Sequence, residues 1–186
     1  AFHAGALFPL HLRHDYYLLG SGVFLAAAAA GSLAVLEALN YVHVQGDAKV
    51  AGLVLVDNSV GEDPAPQRGG NFMARLQADR EKAMTEFVRE MFRSQQAPEY
   101  LDALTAQSLR TPYKASVQLL TIKQPREFWR SAVYATAKPV LYVVTSRLQG
   151  QAENLQRKRP STRTAVFADA GHALFVDEAA RFNALM

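Results

Sequence analysis

Val50-Ala51-Gly52-Leu53-Val54-Leu55-Val56-Asp57-Asn58-Ser59 joins an apolar run to a polar turn. Residues 51–56 form a continuous apolar, β-branched run that stops at a polar Asp-Asn-Ser turn. Such a run suits a strand buried on both faces of a parallel sheet. Upstream, Leu33, Val35, Leu36, Ala38, Leu39 and Val42 recur at helical spacing, and Gln45-Gly46-Asp47 closes that helix. Further upstream, residues 23–29 read as another buried strand. Strand, helix, strand in this order is a βαβ unit. Alanine favours helix, so residues 23–44 could instead form one long helix. Gly31-Ser32 within it would cost about 1 kcal/mol, which favours a break there.

That break carries the first chemical signal. In Ala30-Gly31-Ser32-Leu33-Ala34 a serine stands between predicted strand and predicted helix, with alanines two residues to either side. Small flanking residues allow a sharp strand–turn–helix bend, a relaxed form of the nucleophile elbow G-x-S-x-G. A serine hydroxyl is a weak nucleophile until a base, itself held by an acid, takes its proton. Of the five histidines, His172 is best placed. It lies in Asp169-Ala170-Gly171-His172-Ala173, after a predicted strand and before a predicted helix. His3, His11, His14 and His43 read as structural. Open α/β sheets gather functional side chains at strand C-terminal ends. There, Asp57 is the best-placed acid, with Glu62 and Asp63 close behind in a segment read as flexible. The backbone N–H of Leu33, at a helix N-terminus beside Ser32, would serve a developing oxyanion. Gly5 is a weaker candidate for a second donor.

Downstream of Asp57 the pattern changes. Residues 61–70 are rich in proline and glycine. Phe72, Met73, Leu76, Met84, Phe87, Val88, Met91 and Phe92 then make an apolar stripe of period 3.6. Pro98, Pro112 and Pro125 each open a further helical stretch. Strand and helix patterns resume at residues 139–145 (strand), 151–159 (helix), 164–167 (strand) and 175–186 (helix). The fold class expected is α/β, a mostly parallel sheet flanked by helices, with an all-helical cap insertion. The chain divides into 1–60 (core with the elbow), 61–137 (helical cap) and 138–186 (core).

Composition narrows the function classes. The chain has 186 residues, 49% of them hydrophobic and 20% charged, with a net charge of +3 and no cysteine. One domain with a sizeable core fits that length. Thiolate catalysis, disulfides and cysteine-based metal sites are excluded. Basic residues are dispersed apart from Arg157-Lys158-Arg159, which a solvated helix end explains better than nucleic acid does. No apolar run is long enough for a membrane helix, and no signal peptide is visible, which favours the cytoplasm. Neither a cofactor nor a metal is called for.

VAGLVLVDNS (50–59), KPVLYVV (138–144) and above all DAGHALFVDEAARFNAL (169–185) resemble the α/β-hydrolase fold superfamily, in its capped, esterase-like form. The resemblance spans roughly residues 23–186. It implies a Ser–acid–His triad, which falls on Ser32, Asp57 and His172. Most members carry the acid after the later strand, where this chain has Thr145-Ser146-Arg147. Some carry it where Asp57 stands. A competing register places Ala29 in the nucleophile slot. About 22 residues before strand 23–29 are too few for the usual first strands, so these are read as short or missing. The function implied is hydrolysis of small acyl esters by a serine hydrolase. Met84, Met91, Phe92, Phe128 and Trp129 would either supply an apolar acyl pocket or, as is expected for most of them, simply pack the cap on the sheet. The rival reading is an inactive or incomplete hydrolase-like binding domain. The partner implied is a small-molecule ester, with neither nucleic acid nor a membrane span, and a homo-oligomer is compatible.

Overall fold

A computed structural model describes residues 38–66, 71–121 and 124–186. The predicted strand 23–29, Ala29, Ser32, Leu33 and Gly5 lie outside these residues. The first described element is helix α1, residues 38–45. It ends at Gly46, whose φ of 74° takes the chain into the left-handed region that glycine tolerates. Strand β1 (Leu53–Val56) follows. Four helices come next: α2 (Phe72–Ala78), α3 (Arg80–Glu90), α4 (Pro98–Ser108) and α5 (Tyr113–Leu120). Helix α6 (Arg126–Ala135) leads into β2 (Val140–Thr145), a 3-10 turn at Ser146–Leu148, and α7 (Gln149–Lys158). Strand β3 (Thr162–Phe167) and the short helices α8 (Leu174–Asp177) and α9 (Ala179–Leu185) complete the order.

The sheet among the described residues is three-stranded, parallel, in order β1-β2-β3. Leu53 pairs with Val140 and Val56 with Val143, and Val140 to Thr145 pair with Thr162 to Phe167. Helices cover both faces. On one, Leu39 and Val42 of α1, Ala132 and Val133 of α6, and Ala152 and Leu155 of α7 enclose Leu53, Leu55, Val140, Tyr142 and Val144. On the other, Leu174 and Phe182 of α8 and α9 pack on Val143 and Phe167. The expected α/β architecture, a parallel sheet flanked by helices, is the one observed.

Several details depart from expectation. Burial on both faces holds for β2 but not for β1, where Val54 is 48% exposed. The second face is covered near the strand C-termini, where Val56 meets the α8–α9 cluster. The apolar stripe from Phe72 is two helices, because Asp79 takes an extended conformation. Its side chain accepts from the Lys82 N–H at 3.0 Å and so caps α3. The last helix is likewise broken, at Glu178. Helix α6, expected within the insertion, contributes Ala132 and Val133 to the core of the sheet. Its Phe128 lies 4.5 Å from the His43 ring and edge-on to Trp129. Met84, Met91 and Phe92 belong to another cluster, with Val88, Leu104 and Ala173. The five residues expected around one acyl pocket thus fall into two groups.

Candidate active site

Asp57 stands one residue beyond β1. Its N–H still donates to the Val143 carbonyl at 2.8 Å, continuing the parallel ladder. Its φ of 38° then turns the chain out of the strand, an uncommon conformation for a residue other than glycine that Asp adopts more readily than most. The side chain is 2% exposed, and both oxygens are occupied. Oδ1 accepts from the Thr145 N–H and from the Thr145 hydroxyl, each at 2.8 Å. Oδ2 lies 2.8 Å from His172 Nδ1. The Arg147 guanidinium approaches the same Oδ2 at 3.7 Å and the Asp57 carbonyl at 3.5 Å.

The end of β2 and the turn after it thus hold the acid rather than provide one. A carboxylate can only accept, so Nδ1 of His172 carries the hydrogen in this pair, and in the neutral ring Nε2 is then the acceptor. The Tyr142 hydroxyl donates to the carbonyl of Asn58, the residue after Asp57, at 2.8 Å. Burial, and then the charge of Asp57, raise the Tyr142 phenol far above its ordinary range, so it remains a donor.

The loop behind Asp57 is tightly held. Gly61 has a φ of 78°, and a Cβ there would lie 2.0 Å from the Arg126 carbonyl oxygen, so only glycine fits. Glu62, expected in a flexible segment, is fully buried. Lys158 Nζ donates to its two carboxylate oxygens at 3.0 and 2.9 Å, the Tyr134 hydroxyl donates at 3.2 Å, and Arg130 lies 3.7 Å away. Burial and the Glu62 charge push the Tyr134 phenol up to about 12. A buried carboxylate requires such partners, because desolvation without them costs several kcal/mol. The Arg157-Lys158-Arg159 cluster is therefore more than a solvated helix end. Lys158 neutralises Glu62, and Arg159 donates to the Thr136 and Lys138 carbonyls at 3.0 and 2.7 Å. Gln151, also buried, accepts from the Ser59 hydroxyl at 3.1 Å and donates to the Pro64 carbonyl at 2.9 Å.

His172 sits on the turn between β3 and α8, with its side chain 26% exposed. That turn rests on the end of α3. The Ala173 N–H donates to the Met91 carbonyl at 2.9 Å, and a Cβ on Gly171 would lie 2.5 Å from the same oxygen. Of the four residues the sequence singles out, Asp57 and His172 are brought together; Ser32 and Leu33 lie outside the described residues. Sequence reasoning missed Thr145, since a threonine at a strand end carries no signal of its own, and it missed Asp177, which accepts from the Gly171 N–H at 2.7 Å. Among the described residues no cluster of His, Asp or Glu could hold a metal ion. No helix among them is long and apolar enough to cross a membrane.

No family model matches the chain, and no curated protein matches it. Solved structures do. An esterase from Exiguobacterium antarcticum superposes with a TM-score of 0.66 at 17% identity, over 80% of this chain and 60% of that one. A protein described as a putative aryl esterase from Burkholderia cenocepacia gives 0.67 at 19%, over 78% and 56%. A bromoperoxidase from Bacillus anthracis gives 0.66 at 14%, over 80% and 61%. The chain thus covers less than two thirds of the length of each. With a parallel sheet covered by helices on both faces, an acid at the end of β1 and a histidine after β3, the described chain has the α/β-hydrolase fold.

Proposed function

We propose that the chain is a serine hydrolase that cleaves small acyl esters through an acyl-enzyme. Ser32 is the nucleophile, His172 the general base and then acid, and Asp57 the group that orients His172. The observation that carries this reading is the Asp57–His172 Nδ1 contact at 2.8 Å, with the other carboxylate oxygen fixed by two donors from Thr145. Ser32 and Leu33 enter through the sequence pattern alone. The esterases among the similar folds support the reaction class.

In the first half-reaction the Ser32 hydroxyl oxygen bonds to the ester carbonyl carbon while Nε2 of His172 takes its proton. The carbonyl electron pair moves to oxygen, where the Leu33 N–H donates to the oxyanion. The C–O bond to the alcohol then breaks, and the alcohol leaves with the proton from Nε2. In the second half, water adds to the acyl carbon and gives its proton to Nε2. Collapse releases the acid and returns the proton to Ser32. Asp57 stabilises the imidazolium formed in each half without itself taking the proton. Met84 and Phe92, partly exposed beside buried Met91 and Ala173, offer apolar surface for a short acyl chain.

The test is Ser32→Ala in an ester hydrolysis assay with p-nitrophenyl acetate. Loss of turnover with retained secondary structure supports the reading. Undiminished turnover sinks it, and a chain inert before mutation favours the binding-domain alternative.

A further inference from the structure

Asp177 lies five positions beyond His172, at the end of α8. Its carboxylate has no part in the dyad, yet it is as fully engaged as Asp57. Oδ2 accepts from the Gly171 N–H at 2.7 Å and from the Arg93 N–H at 2.9 Å. Oδ1 accepts from the Ser94 N–H at 3.1 Å and from the Ser94 hydroxyl. Three of these donors are backbone groups, and they come from two segments far apart in sequence. Gly171 precedes His172, and Arg93 and Ser94 follow α3.

We propose that Asp177 is a positioning residue for His172, joining the turn that carries the imidazole to the end of α3 so that Nδ1 stays on Asp57. The proposal rests on His172 being the general base. The two segments touch through their backbones, since the site of a Gly171 Cβ lies 2.5 Å from the Met91 carbonyl oxygen and 2.9 Å from the Phe92 carbonyl carbon. One direct backbone bond, Ala173 N–H to Met91 carbonyl, crosses that contact at 2.9 Å. Asp177 adds the acceptor for the three neighbouring N–H groups. A carboxylate suits the task because it accepts at both oxygens. An asparagine would turn its amide hydrogens toward one set of donors. Burial raises the Asp177 carboxyl, but the bonds from Ser94, Arg93 and Gly171 outweigh it and hold the group below the usual carboxylate value. The joint also links the base to the helices between β1 and β2. Val88, Met91 and Leu104 share a cluster with Ala173, so movement of those helices would be transmitted to the residue next to His172.

The experiment compares the full chain with Asp177→Ala, Asp177→Asn and Ser94→Ala. NMR reads the water exchange of the His172 Nδ1 proton and of the Gly171 and Ser94 amides, and p-nitrophenyl acetate hydrolysis gives kcat and KM. Asp177→Ala is expected to speed exchange of the Nδ1 proton and both amides about tenfold or more, since charge-assisted bonds are lost. It lowers kcat by about ten- to a hundredfold with KM little changed, as expected for a misplaced base. Asp177→Asn falls between it and Ser94→Ala, which keeps three of the four bonds. Faster amide exchange with an unchanged Nδ1 proton and unchanged kcat would show a structural tie only and overturn the proposal. If Asp177→Ala does not fold, the other two variants carry the same comparison. If the chain hydrolyses no ester, the Nδ1 exchange still decides positioning, and it is the hydrolase reading that fails.

Discussion

Replacing Asp57 by asparagine keeps the shape of the side chain and removes its ability to accept at both ends. The structure dictates which way the amide turns. The Thr145 N–H points at Oδ1 from 2.8 Å and cannot rotate away, so the amide oxygen must face it. The amide NH2 then faces His172 Nδ1, in the place of an acceptor 2.8 Å away. To avoid two opposed donors the imidazole must accept at Nδ1 and move its hydrogen to Nε2. The base has then lost the lone pair that would take a proton from Ser32. The same change in serine-protease triads lowers kcat about ten-thousand-fold, which corresponds to roughly 5 kcal/mol of transition-state stabilisation. The folded state loses much less, about 1–3 kcal/mol, because Thr145 keeps its acceptor, the ion pair lost with half-exposed Arg147 is a weak one, and the His172 bond inverts. Steady-state ester hydrolysis measures the first effect, urea unfolding the second, and the nitrogen shifts of His172 report the tautomer. An Asp57→Asn chain that folds, shows the Nε2–H tautomer and still turns over within about tenfold of the parent would show that catalysis does not depend on the Nε2 lone pair.

Thr145→Val replaces one of the two donors to Asp57 Oδ1 by a methyl group of similar volume. A loss of about 1–2 kcal/mol is expected, seen as a fall of roughly half to one molar in the urea midpoint with an unchanged slope. Lys158→Met removes the ammonium group from buried Glu62 but leaves Tyr134 and Arg130 beside it, so a destabilisation of about 1–3 kcal/mol should appear in the same assay. The Asp177 carboxyl is held below its ordinary value of 3.8 in the folded chain. Its contribution to stability is therefore complete above that value and is lost as pH falls from 3.8 through the lower folded value. Asp177→Asn should flatten that acid limb of the stability curve, and acid titration followed by circular dichroism checks it.

Much of the architecture was legible because parallel strands advertise themselves. Residues 51–56 and 139–145 are short apolar runs bounded by turns, and β1 and β2 fall within them. The meeting of Asp57 and His172 also follows from topology, since both stand just beyond the C-terminal ends of parallel strands in one sheet. What supports them was not legible. Thr145 looks like the end of a strand, and nothing local marks it as a pair of donors to a residue 88 positions away. Glu62 reads as a charge in a turn, and only the arrival of Lys158 from α7 and Tyr134 from α6 makes its burial tolerable. Asp177 reads as one more polar residue in a helix, until the end of α3 is brought against it. Helix breaks at Asp79 and Glu178 were hidden for a related reason. An apolar stripe can run on through a change of axis when both helices bury the same side.

The activation of Ser32 by Asp57 and His172 is the proposal on which the function rests. Fluorophosphonate labelling of the full chain, followed by mass-spectrometric mapping of the modified residue, tests it most directly. Modification confined to Ser32 and abolished by His172→Ala is expected. A chain that stays unlabelled, or label on another residue, would contradict it.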